Sequence, residues 1–299
     1  MTPTAMAERP KLTAKDFKGK VDPDWCPGCG DFGVLQSLQK TIAECGYLPH
    51  EVVTISGIGC SSNLPGFINT YGMHTLHGRA LAVATGVQLA NHKLKVIVTG
   101  GDGDGYGIGG NHFMHSLRRN LNVTYIVMNN QIYGLTTGQT SPTSRLGMKT
   151  KSTPEGNVDG SANPTALAIA GGATWVGRGF SGNPKHLVWL MTEAIKHTGF
   201  AHLDVFSPCV TYNKDNTYPW FRERVKVLEE MHHDPSDWKA AMERAFEWGE
   251  QIPIGIFYKV ADRKALHQSE PVLDQGGPMA HRQTAVKPEM GKKLVEELM

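Results

Sequence analysis

The feature that most restricts what this chain can fold into is a burst of glycines opening directly off an apolar, β-branched segment. "KVIVTG" at 95–100 runs into "GDGDGYGIGGNH" at 101–112. Glycines placed after a strand and before a helix free the turn for close backbone approach. In a parallel sheet that turn lies at the carboxyl end of the strands, where ligands bind. The same order recurs along the chain. Strands are expected at "EVVTIS" (51–56), 95–100, "NVTYIVMNN" (ending near Met128), "ATWVGR" and "AHLDVFS". Between them lie the helical segments "VLQSLQKTIAECGY", "RALAVATGVQLANH", "GGNHFMHSLRRN", "PTALAIAGG" and "PKHLVWLMTEAIKH". The strands are continuous apolar runs rather than in/out alternations, so they must be buried on both faces. The expected fold class is α/β, a mostly parallel sheet with helices on both faces.

At 299 residues the chain can bury a sizeable core. A formal net charge of +2 gives no bulk attraction to nucleic acid or an anionic membrane. The polar N-terminus reads as no secretory signal, and no apolar run of membrane-spanning length occurs. Five cysteines are too few, and odd in number, for a secreted disulfide scaffold, so a cytoplasmic location is expected. The organisation expected is an N-terminal arm (1–23), a ligand-binding domain (24–225) and a C-terminal helix with an extended arm (226–299). Residues 134–163, rich in Gly, Ser, Thr and Pro, are too long for a passive connection and read as a functional loop.

The glycine run contains a G-x-G-x-x-G match at Gly105, Gly107 and Gly110. A dinucleotide reading fails here, because Asp102 and Asp104 would repel a pyrophosphate resting on bare amides. The acidic ribose partner expected about 20 residues on is also missing from "TYIVMNN". A divalent cation resolves the conflict. Asp102 and Asn130, separated by one strand–helix–strand passage, can supply oxygen ligands to Mg²⁺, which then carries a diphosphate. The plainer alternative is a tight turn at the glycines and a strand cap at Asn129–Asn130.

"DWCPGCGDFG" (24–33) adds a C-x-x-C pair, Cys26 and Cys29. That spacing serves zinc, disulfide exchange or an iron–sulfur cluster. Cys45 sits in the apolar stripe of Leu35, Leu38 and Ile42 and reads as a small buried hydrophobe.

Four segments together resemble the β subunit of 2-oxoacid:ferredoxin oxidoreductases: "WCPGCGDFG", "SGIGCSSNLPGF", "HGRALAVATG" and "GDGDGYGIGGNHFMHSLRRNLNVTYIVMNNQIYGLTTGQTSPT". The likeness runs over about residues 24–225. "TKSTPEGNVD" and "CVTYNKDNTY" resemble the 2-oxoglutarate type within it. The resemblance implies a thiamine diphosphate-binding fold and three cofactors: thiamine diphosphate, Mg²⁺ and one [4Fe–4S] cluster. It implies that Asp102, Asn130 and the carbonyl of Ile132 hold Mg²⁺. Ile58, Gly59, Cys60 and Ser61, with His77 nearby, would line the thiazolium end, and Gly103, Asp104, Gly134 and Leu135 would cradle the diphosphate. Cys60 and Cys209 would join Cys26 and Cys29 on the cluster. Each of these two follows an expected strand, which places both at the sheet edge where the diphosphate is expected.

The implied reaction is oxidative decarboxylation of a 2-oxoacid with coenzyme A to acyl-CoA and CO₂, electrons passing to ferredoxin. 2-Oxoglutarate is the expected substrate, with pyruvate or a branched-chain oxoacid as alternatives. The resemblance places the activating glutamate on a partner α subunit, so no catalytic side chain is assigned here and the chain alone should be inactive. Asn63 and Thr137 stand where some relatives carry basic residues, near the expected substrate mouth. Two other readings stay open: a non-redox thiamine diphosphate decarboxylase with structural zinc, and a zinc-stapled assembly subunit.

Overall fold

The computed structural model describes residues 9–282 and 287–299. Its centre is one eight-stranded sheet ordered β2-β1-β3-β4-β6-β5-β8-β7. The strands are β1 (Val52–Ser56), β2 (Tyr71–His74), β3 (Lys95–Gly101), β4 (Val123–Asn129), β5 (Trp175–Phe180), β6 (Phe200–Phe206), β7 (Val225–Val227) and β8 (Ile252–Lys259). From β2 to β5 every pairing is parallel. β8 runs antiparallel to β5, and β7 pairs parallel with β8.

The continuous apolar runs behave as their composition requires: β4 and β6 are buried at every position. Because successive side chains point to opposite faces, each strand feeds two cores. On one face Ile97, Ile126 and Leu203 pack against Leu35 and Leu38 of the helix Gly30–Glu44 and Leu187 and Leu190 of the helix Pro184–Lys196. On the other, Val98, Tyr125 and Phe200 meet Leu81, Phe113 and Ile169, from the helices Ala80–Ala90, Gly110–Arg119 and Pro164–Ala170.

Three expectations change. The segment after 225 is not only a helix and an arm, because β8 enters the same sheet against β5. Pro253 and Gly255 (φ 135°) break the local strand signal of "IPIGIFYK", and only pairing on both sides restores it. Residues 266–276 form two short helices whose Leu266 and Leu273 pack inward on this chain. The N-terminal segment is anchored as well, by the fully buried Phe17; residues 1–8 of the expected arm lie outside the described residues. Residues 134–163 contain no helix or strand, as the composition implies. Among the described residues no helix is long and apolar enough to cross a membrane.

Candidate active site

The parallel register brings the chemistry-bearing turns to one edge. Ser56 pairs with Thr99, Gly101 with Met128 and Asn129 with Phe206. Residues 57–61, 102–104, 130–135 and 207–213 therefore all leave the sheet at the same carboxyl end.

Asp104 organises the first of these turns. Its Oδ1 accepts from Ile58 N (2.9 Å), Gly78 N (2.7 Å) and His77 Nδ1 (2.9 Å). The residue is 3% exposed, and a Cβ on Gly57 would fall 2.1 Å from its carboxylate, so glycine is required there. The side chain of Asp104 thus builds the cradle from inside, and only its backbone remains for a diphosphate. Gly59 adopts φ 132°, open to glycine alone, and turns the chain into the short helical segment Cys60–Asn63. Gly103 is needed for packing too, since a Cβ there would strike the Tyr133 ring at 2.1 Å.

Asp102, at the tip of β3, is 1% exposed. Its Oδ2 accepts from the hydroxyls of Ser141 and Thr143, the latter at 2.5 Å. Burial pushes its carboxyl up to about 6, against these two hydrogen bonds. A buried carboxylate held by two hydroxyls fits a cation seat, because a cation would restore the charged form. Asn130 follows the neighbouring strand β4: its Oδ1 accepts from Ile132 N (3.0 Å) and its carbonyl from Asn213 Nδ2 (2.9 Å). Ile132 and Ser61 are buried beside them.

The four expected cysteines come together. Cys26, Cys29, Cys60 and Cys209 line one cavity of about 220 Å³, with Asn63, Asn130, Gly134 and Leu135 on its walls. A Cβ on Gly134 would sit 3.6 Å from Cys60 Sγ, 3.7 Å from Cys209 Sγ and 3.8 Å from Asn130 Nδ2, so this glycine keeps open the space they share. Cys29 caps the helix Gly30–Glu44, and Gly30 N donates to Pro208 O (3.1 Å), which ties the C-x-x-C turn to the Cys209 segment. All are free thiols. Burial, then Asp31, pushes the thiols of Cys29 and Cys60 upward, Cys60 to about 11. Metal binding would deprotonate these two groups. Among the described residues no three His, Cys, Asp or Glu side chains meet as a seat for a single metal ion.

Cys45 follows the far end of the same 15-residue helix, roughly 24 Å along its axis from Cys29 at 1.5 Å per residue, half-buried against the core. Of the two substrate-mouth candidates, Asn63 lines the cavity, while Thr137 is exposed beyond it on a turn closed by its N–H to Gly134 O (3.1 Å). Sequence reasoning missed Ser141 and Thr143, although both lie in the quoted "TSPT", and it missed Asn213 and Trp25. The Trp25 indole donates to Cys60 O at 2.7 Å, wedged edge-on against Phe32 and Phe67. A tryptophan beside a cysteine pair was the available signal.

Comparison with known proteins agrees with this geometry. Residues 57–205 match the family model described as the thiamine pyrophosphate enzyme, C-terminal TPP binding domain. Residues 209–275 match the family model for the C-terminal part of the pyruvate ferredoxin oxidoreductase beta chain. The chain is 50% identical over 252 residues to the 2-oxoacid:ferredoxin oxidoreductase 1, subunit beta, of Aeropyrum pernix, covering 81% of this chain and 79% of that one. It is 47% identical over 279 residues to the 2-oxoacid:ferredoxin oxidoreductase subunit beta of Saccharolobus solfataricus, covering 86% and 90%. It also superposes on the 2-oxoglutarate:ferredoxin oxidoreductase from Magnetococcus marinus, solved with 2-oxoglutarate, coenzyme A and succinyl-CoA bound. That match has a TM-score of 0.89 and 41% identity over 98% of each chain. With a thiamine diphosphate-binding domain, a cysteine-lined cavity at its ligand edge and these relatives, the chain belongs to the family of 2-oxoacid:ferredoxin oxidoreductase β subunits.

Proposed function

We propose that this chain is the thiamine diphosphate- and cluster-bearing half of a 2-oxoglutarate:ferredoxin oxidoreductase. It would convert 2-oxoglutarate and coenzyme A to succinyl-CoA and CO₂, or run the reverse carboxylation, exchanging electrons with ferredoxin. The observation that carries this reading is the shared cavity: the four cysteines open onto the same space as Asn130, Gly134 and Leu135. An electron acceptor held by the thiols would adjoin a cofactor held at the strand ends.

Asp102, Asn130 and the Ile132 carbonyl would hold Mg²⁺. Gly103, the Asp104 backbone, Gly134 and Leu135 would receive the diphosphate, and Ile58, Gly59, Cys60 and Ser61 would face the thiazolium. Asp104 fixes the tautomer of His77 by accepting from Nδ1, which leaves Nε2 as the ring nitrogen available to a ligand. When bound, thiamine diphosphate supplies the nucleophilic carbon and electron sink of decarboxylation, and a [4Fe–4S] cluster supplies the one-electron exit. Four thiols on one cavity match the ligand count of a cubane cluster. Asn63 brings no charge to the cavity wall, so a substrate carboxylate would find its basic partner on the α subunit.

The chain is proposed to act only in a heteromer. Its C-terminal helix Pro288–Glu297 buries no side chain here and exposes Met290, Leu294 and Val295, a face suited to that partner. A second reading concerns substrate alone, since the Aeropyrum and Saccharolobus relatives are named for 2-oxoacids generally. The deciding experiment uses the anaerobically purified heteromer. Specificity constants higher for 2-oxoglutarate than for pyruvate, with about four irons per β chain, support the proposal. Stoichiometric zinc without iron would end the redox reading, and viologen reduction by the isolated chain would end the heteromer requirement.

A further inference from the structure

A second cavity, of about 410 Å³, opens at the carboxyl end of β4, β6 and β5. Its floor carries Arg178, from the middle of β5, which is 3% exposed. A guanidinium at such depth ordinarily has close, multiple partners. Among the described residues Nε has no partner, and the terminal nitrogens reach only Pro253 O at 3.4 Å and Ala245 O at 3.5 Å. The group is held by stacking instead, with Phe257 at 4.9 Å and Phe206 at 5.6 Å from its central carbon.

Asp204 is the register neighbour of Arg178 on β6, and both line the cavity. Its carboxylate accepts from Tyr106 (2.9 Å) and Asn129 (3.1 Å), so it balances the arginine's charge without bonding the guanidinium directly. The mouth is aromatic: Trp220, Phe246 and Trp248 line it, the last two 65% and 48% exposed. The cavity is walled from the cofactor edge by Thr143, whose hydroxyl touches Asp102 on one side and Asn129 Oδ1 (2.9 Å) on the other.

We propose that this cavity is a binding site for a small organic oxyanion, a carboxylate or phosphate on a flat apolar body. The oxyanion would draw on the N–H groups of the Arg178 fork, whose terminal nitrogens Pro253 O and Ala245 O hold only loosely, and the body would lie among the rim aromatics. An oxyanion satisfies a guanidinium fork with two parallel charge-assisted hydrogen bonds, and the rim offers ring faces for the apolar part. The site lies outside the cavity used by the proposed reaction, and its test does not depend on turnover.

The test is crystallographic, on the chain assembled with its partner subunit. Crystals are soaked separately with 4-bromobenzoate, for the carboxylate source, and selenate, for the phosphate source, and each is located by anomalous scattering. The expected result is a bromine or selenium peak in the cavity, with the probe's oxygens about 3 Å from the Arg178 nitrogens. The peak should be lost in Arg178→Gln. Arg178→Lys keeps the charge that balances Asp204, so it guards against a folding defect; there the 4-bromobenzoate Kd should rise about tenfold or more, because the planar fork is gone. The proposal is overturned by no peak with either probe, by a peak that survives in both variants, or by a partner side chain already filling the cavity.

Discussion

The indole of Trp25 donates to the carbonyl of Cys60 at 2.7 Å, across 35 residues of chain. That one bond joins the C-x-x-C turn to the loop that follows β1, and so joins two of the cysteine-bearing segments before any metal is considered. Phe32 and Phe67 hold the ring edge-on from two sides, which fixes the direction of its N–H.

Trp25→Phe keeps an aromatic wedge but leaves the Cys60 carbonyl without its donor. A loss of roughly 1 kcal/mol is expected, the net worth of a half-buried hydrogen bond. Iron should also leave the variant faster when a chelator is added anaerobically. Wild-type melting together with wild-type iron retention would show that the bond is incidental.

Gly134→Ala separates folding from cluster seating. The added methyl meets both sulfurs at ordinary contact distance, 3.6 and 3.7 Å, so the metal-free chain should melt as the wild type does. The methyl then occupies the space between Cys60 and Cys209, and iron and sulfide content should fall well below wild type. A full complement of iron in this variant would place the cluster elsewhere.

Asp104→Asn tests the buried carboxylate that gathers three donors on one oxygen. An amide accepts more weakly than a carboxylate, and its NH₂ group would press on Gly57, where the present carboxylate already excludes a Cβ. Stability should drop by about 2 kcal/mol, and thiamine diphosphate should bind more weakly in a fluorescence titration. Unchanged melting and affinity would rule out the organising role.

The acid limb of stability should carry the signature of His197. Burial first, then Lys259 and Lys95, pushes this imidazole down to about 4, while Nε2 lies 2.7 Å from Thr174 Oγ1. The unfolded chain takes up a proton near its ordinary value of about 6.5, and the folded chain does not until about 4. The stabilisation is therefore present above about pH 6.5 and is lost as pH falls through the window between the two. Buried carboxyls with raised values, such as Asp204, act with the opposite sign, so the informative quantity is the difference from His197→Gln. Urea unfolding between pH 7 and pH 4 should show the wild-type slope steeper by up to one proton, about 1.4 kcal/mol per pH unit. Equal slopes would show that the ring is protonated in the fold.

What the sequence by itself determined is local or evenly periodic. β4 and β6 were readable because burial on both faces demands unbroken apolar runs, and the glycine turn because few other residues tolerate such close approach. Asp102, Asn130 and the cysteines could be nominated because their side-chain chemistry is unusual at those spacings. β8 could not be read, since Pro253 and Gly255 erase its local signal and only β5 and β7 make it a strand. Ser141 and Thr143 looked like ordinary loop residues until the loop folded back onto Asp102. The meeting of Cys26 and Cys29 with Cys60 and Cys209 rests on strand register and on bonds such as Trp25 to Cys60. Contacts between residues so far apart leave no periodic trace in the chain, so only the tertiary structure decided them.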